Sequence, residues 1–269
     1  MSVERLGFVE THCGVVVVAD FGSFGLWSGE PPHRSARAAL DQGLFAFDHE
    51  GLGAVAVPNV PTGREIPLMG LRIEEGEFEG LWQAVYLDIL PGATPAKTIE
   101  AGTVVVDAAR LGFFDLDALD AWQHDEPLDG KADVMFWGLH GEEVAARFGA
   151  PHDAEEAIYG FRDLHISEAG PIVQRLEALR NTGELRFAYD YRPHSHHYVL
   201  MKQLRATETE SGMLGLGRPP AACCGLSTTW GDGEFPVMLD FDASGALIRV
   251  GVFFATPEAQ ENLRSVSNG

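Results

Sequence analysis

The run His194-Ser195-His196-His197 offers the first chemistry to weigh. Read as a strand, it sets His194 and His196 on one face, the spacing by which β-proteins hold a metal through two imidazoles. Asp163 and His165, two apart in an expected loop, are candidates to complete such a shell. The carboxylate that a cupin-type motif places after its histidines is missing, because Leu200 and Met201 occupy that offset. Two imidazoles fill only half of a tetrahedral shell. His194 and His196 are therefore expected as surface rings and binding candidates, with no metal and no cofactor.

Other constellations lead to equally limited chemistry. Asp240-Phe241-Asp242-Ala243-Ser244-Gly245 matches the first half of a calcium loop, but Gly251 stands where the bidentate Glu belongs. A hairpin turn explains the same residues, with Asp242 bonding the local backbone and Gly245 at positive φ. Glu208 with Glu210, and Asp153 with Glu155, are paired carboxylates whose separation no sequence gives. Asp115 to Asp129 holds six acids and no base, which fits a helix start followed by a solvated loop. Trp230-Gly231-Asp232-Gly233 predicts a tight turn beneath a packed tryptophan, or a rigid loop that presents Trp230 and Asp232 to a ligand. Phosphate-loop, H-E-x-x-H, G-x-S-x-G and kinase signatures are missing. Gly51 to Ala56 matches G-x-G-x-x-A, but it leads into an apolar strand and Pro58 rather than a helix N-terminus.

Strands dominate the elements that must position these residues. Cys13 to Ala19 is a continuous β-branched run, as expected of a strand buried on both faces. Gly53 to Val57, Ile66 to Ile73, Leu81 to Leu90 and Thr103 to Asp107 follow, with no sustained helical period before residue 115. Helices are predicted over 116–123, capped by Asp115, over 142–148, stopped by Gly149 and Pro151, and over 171–180, with Pro171 at its first position. Strands are then expected at Leu185 to Tyr191, His196 to Leu204, Phe235 to Phe241 and Leu247 to Phe254, and a short helix after Thr256. Elements do not alternate regularly, which favours an α+β fold of mainly antiparallel sheet with a few short helices in the second half. The charged stretch 124–133 marks the expected boundary between a mostly β part, residues 1–130, and an α+β part, residues 131–269, unless the two form one continuous domain.

Charge narrows the partners. The 269 residues carry 40 acidic and 19 basic side chains, a formal net charge of −21. That balance argues against nucleic acid and anionic lipid and favours a basic protein partner. No apolar run nears the ~20 residues of a membrane helix, and Met1 to Glu10 lacks the pattern of a signal peptide, so a cytoplasmic location is expected. Cys13, Cys223 and Cys224 read as free thiols in a reducing compartment.

Thr207 to Gly212, then Ser227 to Val237, then Leu239 to Gly245, with Val106-Asp107 and Leu111 to Asp115 earlier, carry a family resemblance. Together these segments resemble the uncharacterised bacterial family called domain of unknown function 4241. The chain departs from it at Ala108-Ala109-Arg110, where small glycine-rich residues are usual. The resemblance implies no activity and no catalytic residue. The expected function is a non-catalytic, acidic binding protein of the immunity type, with Trp230, Asp232, Glu208, Glu210, His194 and His196 as binding candidates. The alternative is a metal-dependent hydrolase using His194 and His196.

Overall fold

A computed structural model of the chain describes residues 3–26, 32–154 and 156–256. The first eight strands are β1 (Val3–Val9), β2 (Val15–Asp20), β3 (Ala46–His49), β4 (Leu52–Pro58), β5 (Ile66–Arg72), β6 (Trp82–Asp88), β7 (Lys97–Val106) and β8 (Arg110–Asp115). Four more lie mid-chain: β9 (Lys131–Trp137), β10 (His152–Asp153), β11 (Ile158–His165) and β12 (Ala188–Pro193). The last four are β13 (Ser211–Leu216), β14 (Ala221–Ser227), β15 (Gly233–Phe241) and β16 (Leu247–Phe253). The helices are α1 (His33–Asp41), α2 (Gly141–Phe148), α3 (Ile166–Asn181) and α4 (His196–Ala206), with 3-10 turns at Phe21–Leu26 and Ala118–Ala121. Neighbouring strands in every sheet run antiparallel, so the fold is α+β and mainly antiparallel sheet, as expected. No described helix is long and apolar enough to cross a membrane.

Two compact units share the chain. The larger takes residues up to Trp122 and from Leu200 onward, and the smaller takes Gln123–Val199. The larger unit holds two six-stranded sheets, ordered β1-β5-β6-β16-β15-β7 and β13-β14-β8-β2-β4-β3. Its sequence explains why both faces of the second sheet are covered. Every residue of β2 is buried, and the period-2 alternation of a strand divides them. Val16 and Val18 join Leu68, Leu87, Val237 and Val250 of the first sheet in one core. Val15, Val17 and Ala19 face a second core with Phe21, Phe24, Ala36, Leu200 and Leu204. Each fully buried Val, Leu or Phe contributes about 1.5–3 kcal/mol through water released from apolar surface.

The smaller unit is a four-stranded sheet, β10-β11-β9-β12, packed with α2 and α3. Val134 and Phe136 of central strand β9 pack with Val144, Ala169 and Leu176. Alternation sends Asp133, wholly buried, to the opposite face. Gly149 ends α2 in the left-handed conformation at φ 69°, the role its sequence position predicts.

Several expectations are corrected. His196–Leu204 is helix rather than strand: Ser195 Oγ accepts the Tyr198 N–H at 3.2 Å as a cap, and Leu200 and Leu204 are buried at i, i+4 spacing. The helix expected to begin at Pro171 starts at Ile166, where the His165 ring caps Ser167, and Pro171 lies inside it without a donor N–H. Over 116–123 only the short 3-10 turn forms. Helix α1 arises where no helical period was visible, because its buried anchors are the small Ala36 and Ala39. The helix expected after Thr256 falls outside the described residues.

Candidate functional site

In the smaller unit, β9 and β11 keep register at Phe161↔Val134 and resume at Leu164↔Ala132. Two residues, Arg162 and Asp163, therefore oppose the single Asp133, a β-bulge. On the other side of β9, Arg192 of β12 pairs with Asp133 in register, and the chain turns after Pro193 into His194 and Ser195 before entering α4. Asp163, expected in a loop, thus sits in a strand, with its backbone at φ 55°.

This arrangement makes Asp133 a hub. Its Oδ1 accepts the Asp163 N–H at 2.9 Å and faces His194 Nε2 at 3.1 Å. Its Oδ2 accepts the Tyr198 hydroxyl at 2.8 Å and lies 3.4 Å from Arg162. Arg162 also pairs with Asp153 and Glu156, and Arg192 joins Glu156 to Asp190. Glu155, the expected partner of Asp153 in a carboxylate pair, lies outside the described residues. The other nitrogen of His194, Nδ1, is 3.0 Å from Asp129 Oδ2. The Tyr198 ring stacks on His194 with centroids 4.5 Å apart.

The electrostatics follow from these contacts. Burial disfavours a charged His194, but Asp129 and Asp133 outweigh it and raise its pKa above the ordinary histidine value. Burial alone would raise Asp133, yet the Asp163 N–H, His194 and Tyr198 hold it below the usual carboxylate range. Burial and the adjacent Asp133 push the Tyr198 phenol up. Because carboxylates only accept, both ring nitrogens of His194 donate, and the ring is an imidazolium between two acids.

The expected pair of surface rings is therefore corrected. His194 is 7% exposed rather than at the surface. His196 does not share its site: the turn of α4 replaces strand alternation, and His196 Nδ1 accepts the Gln123 N–H at 2.9 Å. His165 is likewise elsewhere, its Nδ1 2.7 Å from the Ser167 hydroxyl. Sequence reasoning misses Asp133 altogether, although a lone acid inside the apolar run Ala132 to Phe136 signals a paired buried charge.

The remaining candidates lie in the larger unit. Trp230 is 4% exposed, donates Nε1–H to the Trp82 carbonyl at 2.6 Å and packs against Phe78, so its ring faces the core instead of a ligand. Asp232 is exposed and accepts the Ala109 N–H at 2.9 Å, tying the turn to the start of β8. Glu208 and Glu210, both exposed, line a cleft of about 360 Å³ with Arg110, Arg205, Met201 and Ser227. The Asp115 to Asp129 segment is not one free acidic face. Asp115 is buried, Asp117 pairs with Arg37, Asp120 with His33, and Asp129 with His194. Asp242 accepts from Ser244 and Ala246 in a turn closed by Gly245 at φ 85°, the hairpin its residues predict.

No protein-family model, no curated protein and no solved structure matches this chain.

Proposed function

We propose that this is a non-catalytic, cytoplasmic binding protein that masks a basic protein partner, in the manner of an immunity protein. One observation carries the reading: acids outnumber bases 40 to 19, and several of the few cations are already paired with carboxylates of their own chain. Arg37, Arg72, Arg147, Arg162, Arg192 and Arg249 all lie against carboxylates of their own chain. The turn between β5 and β6 adds four exposed acids, Glu74, Glu75, Glu77 and Glu79. With a net charge of −21, the outward field attracts a positive surface and speeds its encounter. The resemblance to the 4241 family is part of this proposal and brings no competing activity with it. A hydrolase built on His194 and His196 together gains nothing from the geometry, since the two rings serve different contacts.

The test is to express the chain with the protein encoded beside its gene and to measure complex formation by light scattering at low and high salt. The reading predicts a stoichiometric complex with a basic partner, weakened by salt and by changing Glu74, Glu75, Glu77 and Glu79 to Gln. A neutral or acidic partner, or no complex at either salt, contradicts it.

A further inference from the structure

We propose that Asp133, Asp163 and His194 form a site for a single zinc ion in the smaller unit. One donor atom from each lies within 4.8 Å of the others. His194 Nε2 and Asp133 Oδ1 stand 3.1 Å apart, the separation of two ligands at about 2.1 Å from one ion with about 95° between them. The second ring nitrogen is already held by Asp129, the carboxylate contact that fixes the orientation of a metal-binding imidazole.

Asp163 supplies the observation that the hydrogen-bonded network does not explain. Its carboxylate is exposed and has no hydrogen-bond or ion-pair partner among the described residues. Its backbone is held at φ 55° by the N–H bond to Asp133, a left-handed conformation that aspartate adopts more readily than most non-glycine residues. The bulge thus sets a second, exposed acid beside a buried one, where a cation would join them.

The donor set fits zinc better than calcium. One imidazole and two carboxylates suit zinc, whereas calcium requires six to eight oxygens. On binding, His194 Nε2 gives its proton to solvent and its lone pair to the ion, and one oxygen each of Asp133 and Asp163 completes three protein ligands. The exposed side at Asp163 leaves the next position to water. This site is independent of the acidic-surface reading, and either can fail alone.

Titration of chelator-treated protein with zinc chloride in a calorimeter tests it. Wild type binds a single zinc, and Asp163→Asn weakens that binding at least roughly 100-fold while the metal-free melting temperature stays unchanged. Asp129→Asn, a change behind the ligand, keeps the stoichiometry and weakens binding roughly 10–100-fold. Asp163→Gly binds no zinc yet melts higher than wild type without metal, because glycine accepts the positive φ. A wild-type chain that takes no zinc, or zinc binding untouched by Asp163→Asn, overturns the proposal. The second result places the ion away from Asp163.

Discussion

In the larger unit, Asp20 and Asp115 are each 2% exposed, and backbone amides supply most of their partners. Asp20 accepts from the N–H groups of Gly22, Asp107 and Ala108 and from the Ser23 hydroxyl. Asp115 accepts from His12, Cys13 and Ala118 N–H and from the Thr11 hydroxyl. In the smaller unit, Asp133 has one amide and otherwise faces Tyr198, His194 and Arg162. An amide cannot change charge or leave, so Asp20 and Asp115 act as fixed posts for the loops around them. A carboxylate held by ionisable side chains can trade one counter-charge for another. The same residue type thus anchors loops through amides in one unit and a network of ionisable side chains in the other.

The comparison breaks most visibly at Asp133. Asp133→Ala leaves His194 and Arg162 partly buried without this acid, and removing one member of a buried pair costs about 3–5 kcal/mol. Chemical unfolding read by hydrogen exchange should show that loss over residues 123–199 first. A loss below 1 kcal/mol on the same scale, roughly that of an exposed pair, would mean the hub carries little.

A smaller effect is expected at Asp115. Asp115→Asn turns an amide NH2 toward donors that need an acceptor, costing about 1–3 kcal/mol. Burial works to raise the Asp115 pKa, but the N–H groups of Cys13 and Ala118 and the Thr11 hydroxyl hold it below the usual range. A depressed folded pKa gives stability that is present above the unfolded value, about 3.9, and lost as pH falls through the folded one. The gap between wild type and Asp115→Asn should therefore be full near neutrality and close in acid. A gap that is constant with pH would show that the carboxylate charge is irrelevant to this post.

Local and long-range features were unequally legible in the sequence. The β-branched run of β2, the Gly149 stop and the Asp242 turn are local signals, and each is read correctly because the residues that decide them are neighbours. The segment His196–Leu204 misleads because Tyr198 and Val199 favour strands, while the cap at Ser195 and the spacing of Leu200 to Leu204 carry the helix. The site built on Asp129, Asp133, Asp163 and His194 is harder still. Its members are brought together by a bulge in β11 and by the turn after β12, and no spacing along the chain encodes either. Trp230 was legible as a packed ring but not in its partner, since Trp82 lies 148 residues away.

Hydrogen exchange on metal-free protein, with and without zinc chloride, is the most direct test of the contrast between amide-held and side-chain-held carboxylates. Zinc is predicted to slow exchange in β9, β11 and the turn after β12, to leave the Asp20 and Asp115 loops unchanged, and to have no effect in either place in Asp163→Asn. Equal slowing in both units, or none in the smaller one, would contradict it.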